Sequence, residues 1–90
     1  MHLVYYSVGL DVDKATFKAC LKVKEDSDKS IVRATKTFKN SLQGFKELDL
    51  WIKKHKKTAC AELKIIMEAT GVYHEHLAWY LHQLNFQVYI

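Results

Sequence analysis

Apolar and polar residues alternate with a period near two along the first part of the chain, and further on they recur every three or four positions. Tyr5 to Val12 (YYSVGLDV) is apolar enough at both parities to predict a strand buried on both sides. Phe17 to Val23 sets Phe17, Ala19, Leu21 and Val23 against Lys18, Cys20 and Lys22, the pattern of a half-exposed strand. A tight link at Asp13–Ala15 makes these two a hairpin. The polar run Lys24 to Ser30 (KEDSDKS) predicts a turn, and Ile31 to Phe38, rich in β-branched residues, predicts a third strand.

The period then changes. Asn40 or Ser41 is placed to cap a helix whose apolar positions Leu42, Phe45, Leu48 and Ile52 fall three and four apart and which ends in lysines. Leu63 to Met67 is a short apolar run ending on Glu68, bounded as a buried strand would be. In ATGVYHEHLAWYLHQL, Thr70 is the expected cap, Gly71 lets the backbone bend, and Tyr73, Leu77, Tyr80, Leu81 and Leu84 form one helical stripe. Phe86 to Ile90 opens a last strand. The order β-β-β-α-β-α-β is an antiparallel meander followed by two crossover units, and right-handed crossovers turn it into one mixed α/β sheet covered by helices. The first strand is expected at the centre, between the second and the fourth. The ribonuclease-H-like architecture has this layout, although a fold does not determine a function.

Composition narrows the class more than it identifies a partner. Ninety residues allow one small domain burying about 60% of its extended surface. No apolar stretch approaches the roughly 18 residues of a membrane span, and the start lacks the features of a signal peptide, so a cytoplasmic protein without a membrane partner is expected. Cys20 and Cys60 are isolated and read as small apolar residues, with no disulfide framework. The net charge of +4 suits a polyanionic partner without requiring one.

The candidate chemistry lies at two strand ends. If the first and fourth strands are parallel neighbours, about 4.8 Å apart, Asp11 and Glu68 lie side by side at their carboxyl ends, the edge where α/β sheets place ligands. Two carboxylates that close repel, so a proton or a cation must come between them. Hard oxygen donors favour Mg²⁺ or Mn²⁺, and such ions promote in-line attack at phosphodiesters. Asp13 is a weaker candidate for the metal shell, because an acid in a tight turn has local backbone amides to bond.

At this point VGLDVDKAT, the helix start NSLQGF and IIMEATGVYHEHLAWYLHQLNFQVYI resemble the N-terminal RuvC-like domain of the DEDD transposases, an insertion-sequence family of bacteria and archaea regarded as RNA-guided recombinases. The resemblance covers nearly the whole chain. It implies that Asp11 is the first acid and Glu68 the second of a four-carboxylate Mg²⁺ site. It also implies DNA as substrate, a guide RNA as partner, and a truncated piece that lacks two further aspartates and a C-terminal domain supplying a serine nucleophile. Family members commonly carry Ser where this chain has Asp13, which leaves that residue's part open.

Remaining features divide between chemistry and surface. Lys14 and Thr16, beside the first turn, are placed to meet a phosphate or simply to be exposed. Lys53, Lys54, Lys56 and Lys57, with His55 among them, either complement a helix end or contact a nucleic-acid backbone. His74, His76 and His82 cannot converge on zinc, since residues two apart on a helix point to nearly opposite faces. Trp51, Trp79, Tyr73 and Tyr80 are read as core or partner-interface residues rather than base-stacking ones. An apolar last strand left at an edge favours a homo-oligomer. Two other functions compete: an actin- or sugar-kinase-like ATP-binding half-domain, and a non-enzymatic nucleic-acid-binding or oligomerisation module. An acid at Asp13, where phosphates would approach, speaks against the former.

Overall fold

A computed structural model describes residues 4–25, 29–56, 61–68 and 71–90. The elements are β1 (Tyr5–Val12), β2 (Thr16–Lys24), β3 (Ser30–Lys39), α1 (Leu42–His55), β4 (Glu62–Glu68), α2 (Glu75–Gln83) and β5 (Gln87–Tyr89). They form one five-stranded sheet in the order β3-β2-β1-β4-β5. β1, β2 and β3 are an antiparallel meander, whereas β4 runs parallel to β1 and β5 parallel to β4. β1 therefore lies between β2 and β4, as the crossover argument requires.

The two helices share one face of this sheet. Tyr6, Val8, Leu10 and Val12 of β1, Phe17, Ala19, Leu21 and Val23 of β2, and Leu63, Ile65 and Met67 of β4 are all buried. They join Phe45, Leu48, Trp51 and Ile52 of α1 and Leu77 and Leu81 of α2 in a single cluster. The intervening positions, among them Gly9, Asp11, Lys64, Ile66 and Glu68, are exposed. This corrects the expectation that β1 and β4 are buried on both sides and that helices cover the whole sheet. The apolar look of β1 came from Tyr5, Ser7 and Gly9 at the second parity, where two of the three residues are too small to need cover.

Rings knit the covered face together. Phe17 stacks on Phe38 at 5.3 Å between centroids, Trp51 meets Phe38 edge-on at 5.7 Å, and Phe45 touches Tyr80 at 5.6 Å. Trp51 is thus a core residue, but Trp79 is 67% exposed and Tyr73 44%, so neither of these two belongs to the core. Leu42 and Leu84 are exposed too, which narrows the helical stripes to Phe45, Leu48 and Ile52 on α1 and Leu77 and Leu81 on α2. β3 is an edge strand, and only Phe38 of it is buried.

Helix entries differ from one another. Ser41 caps α1, its hydroxyl accepting from the Gly44 amide at 3.4 Å. α2 begins only at Glu75, with His74 at its N-cap and no side-chain capping bond. Gly71 has φ +72°, a left-handed conformation, and residues 71–74 form a turn, so Tyr73 lies outside the helix. The cap expected at Thr70 lies outside the described residues, as do Lys57 and Cys60.

Candidate functional site

Asp11 is the penultimate residue of β1 and Glu68 the last of β4, and the parallel register makes them direct partners. Neighbouring strands are about 4.8 Å apart, so partnered side chains stand next to each other on one face. That face is the uncovered one: Leu10, Val12 and Met67, flanking the acids, all point into the core. Both carboxylates are exposed. On the other side of Asp11 its antiparallel partner is Lys18, whose own partner on β3 is Thr37. A row Thr37, Lys18, Asp11, Glu68 therefore crosses the carboxyl end of the central parallel pair.

The next row down the open face holds Cys20, Gly9, Ile66 and Tyr89, and the row after that Lys22, Ser7, Lys64 and Gln87. A Cβ on Gly9 would meet nothing within 4 Å, so the surface dips at that position, beside the exposed Ile66. The acids thus overlook a shallow concavity of about 380 Å³, with Lys18 and Lys22 along its β2 side. Cys20 is a half-buried free thiol in that wall rather than the buried apolar residue expected.

This donor set suits a hard divalent cation. Mg²⁺ is ordinarily held by one or two carboxylates, with waters and phosphate oxygens completing the shell, and an open face leaves room for those. No group of three or more His, Cys, Asp or Glu side chains forms a denser cage among the described residues. The described histidines form no such group either.

Other residues singled out from the sequence fall elsewhere. Asp13 is exposed in the hairpin turn, where its backbone amide donates to the Thr16 carbonyl at 2.9 Å. Lys14 borders a groove on the helix side of the same edge, with Tyr73, His76 and Trp79. Thr16 starts β2 opposite Lys39. Lys53, Lys54 and Lys56 are at the far end: Lys53 and Lys56 share a hollow with Glu62, the first residue of β4, whereas Glu68 is its last. Seven residues of strand span about 20 Å, so the basic run and the acids are not brought together. Lys53 instead pairs with Asp49 at 3.0 Å, one turn back on α1.

Asn40, the alternative to Ser41 as the helix cap, has a part that the sequence did not show. Ser41 takes the capping role, which frees the Asn40 amide to bridge two loops. Its Nδ2 donates to the Asp13 carbonyl at 2.9 Å and to the Tyr73 carbonyl at 3.0 Å, and its backbone N–H donates to the Ala15 carbonyl at 2.9 Å. One side chain thus ties the turn after Asp11 to the segment between Glu68 and α2. Asn40→Ala removes both side-chain bonds and is expected to cost about 1–2 kcal/mol, a fall in Tm of roughly 4–16 °C by thermal unfolding.

Fold and site together define an α/β domain whose carboxylates meet at the ends of its central parallel strands. Among solved structures, the Ppx/GppA enzyme of Aquifex aeolicus shares this fold: two of its structures superpose with TM-scores of 0.57 and 0.58 at 12% identity. Those superpositions cover 96% of this chain and 35% and 34% of the enzyme. The sequence is more specific, because residues 8–90 match the IS110-type DEDD transposase family, and the chain belongs to that family. It is also 41% identical over 71 residues to the pilin gene-inverting proteins of Moraxella bovis and Moraxella lacunata, a match covering 79% of this chain. The match is 20% of each relative, so it spans about a fifth of their length.

Proposed function

We propose that this chain forms the ribonuclease-H-like, RuvC-like part of a DNA transposase or recombinase, and that Asp11 and Glu68 are two carboxylates of its divalent-metal site. The observation that carries this is their partnership across the β1–β4 register on an uncovered face. Family membership supports DNA as the partner, and the relatives' names, which speak of gene inversion, point to strand cleavage and rejoining. Mg²⁺, or Mn²⁺ in its place, would be held by Asp11 and Glu68 and would supply Lewis-acid activation at a phosphodiester. The protein's own part is to hold two carboxylates at fixed spacing, with Asn40 tying the adjoining loops. With two of four carboxylates, the ninety residues alone bind metal without cleaving DNA. The guide RNA and the homo-oligomer remain part of this reading, the latter supported by exposed Leu84, Tyr89 and Ile90 near the β5 edge.

The test is a Mn²⁺ titration followed by electron paramagnetic resonance. Binding with a dissociation constant of roughly 10⁻³ M is expected, as for weak oxygen-donor sites. Both Asp11→Asn and Glu68→Gln should abolish it. Identical binding by the parent and both variants would remove the pair from the site.

A further inference from the structure

We propose that Lys18 and Lys22 form a phosphodiester-binding row on the uncovered sheet face, docking a DNA strand's backbone beside the Asp11–Glu68 pair. Placing the row next to a metal rests on the reading above; its anion binding does not. The argument begins with β2, whose alternation directs Phe17, Ala19, Leu21 and Val23 into the core and Lys18, Lys22 and Lys24 to the open face. Three cations thus follow one another along one strand, on a surface no described residue covers.

Among the described residues, the first two have no partner charge. Lys18 stands opposite Asp11 in the β1–β2 register, yet neither Lys18 nor Lys22 makes an ion pair with a described residue. Lys64 of β4, also on this face, differs: it sits 4.0 Å from Glu62 and over the Tyr89 ring. Between the row and β4 the surface dips at Gly9, and Cys20 lines the same hollow, so an extended backbone can settle there. A phosphate held by Lys18 would sit one strand away from Asp11, bringing a polyanion up to two carboxylates that would otherwise repel it.

A lysine beside a dication site has two effects of opposite sign, and these form the test. With the ninety-residue chain and a fluorescein-labelled single-stranded oligothymidylate, Lys18→Met and Lys22→Met should each weaken binding about five- to tenfold by anisotropy. Each should also lower the magnitude of the log K against log salt slope by about 0.7–1. Lys18→Arg, which keeps the charge, should retain the slope. Lys46→Met, an equal charge change on α1, should leave affinity within about twofold. Mn²⁺ binding should tighten about two- to fivefold in Lys18→Met, because a cation next to the ion is gone.

Unchanged oligonucleotide affinity and slope in Lys18→Met and Lys22→Met, with thermal unfolding like the parent's, would overturn the row. An equal loss in Lys46→Met would overturn it as well, since net charge alone would then explain the effect. Mn²⁺ binding unmoved by Lys18→Met but abolished by Asp11→Asn would place the row away from the acids and refute the proposal. If the parent binds no Mn²⁺ while the lysine variants still lose the oligonucleotide, the metal reading fails and the row stands.

Discussion

Replacing Gly44 by alanine is expected to destabilise the domain by about 3 kcal/mol or more, against the trend of helix propensity. Gly44 is the third residue of α1, where alanine would ordinarily gain about 1 kcal/mol over glycine. At this position a Cβ would overlap the backbone carbonyl of Lys39, the last residue of β3. That carbonyl is not free to retreat, because it accepts the Ser41 amide at 2.9 Å as the chain turns from strand to helix. Overpacking against backbone costs about 1–3 kcal/mol even where neighbours yield, and here the neighbour is fixed. A domain of this size has roughly 5–13 kcal/mol of total stability, so a large share would go. Chemical denaturation should show the midpoint falling; a midpoint equal to or above the parent's would mean that the β3–α1 corner is looser than described.

The second large effect concerns chemistry. In a full-length transposase carrying this domain, Asp11→Asn is expected to lower Mg²⁺-dependent strand cleavage by at least about a thousandfold, the upper range for losing one preorganised electrostatic group. Asp13→Ser should leave cleavage within about threefold, since Asp13 is an exposed turn residue whose described bonds are made by its backbone. Cleavage assays on a labelled DNA substrate would separate the two acids. Comparable losses at both positions would mean that the metal shell reaches into the turn.

How much of this was legible in the residues differs from element to element. β1 could be bounded at Tyr5 and Val12, and the Asp11–Glu68 partnership followed from the crossover rule together with a short apolar run ending on an acid. Which face stayed bare could not be read, because a strand with Ser7 and Gly9 at its second parity looks the same whether covered or open. The part of Lys18 was hidden for a related reason. Alternation showed that it was exposed, but only the hairpin register places it opposite Asp11. Asn40 and Ser41 were interchangeable as caps until one was seen to bond Gly44 and the other to bridge two distant loops. The basic run could not be placed from the sequence, because nearness to a helix end says nothing about which end of the sheet that helix end reaches. Thr70 and Tyr73 suggested an early start to α2, whereas residues 71–74 form a turn and the helix starts at Glu75.

The register joining β1 to β4 also has a bearing on how the molecule assembles. Its partners lie more than fifty residues apart, a greater separation than in any other strand pair of the sheet. Local hairpins close in microseconds, whereas pairings across long loops carry a larger entropic cost before any contact offsets it. A chain that has formed only its β1–β2–β3 meander therefore presents Asp11 without Glu68. The two acids come together only with the most sequence-distant pairing of the fold, so an incompletely folded chain lacks the carboxylate pair altogether.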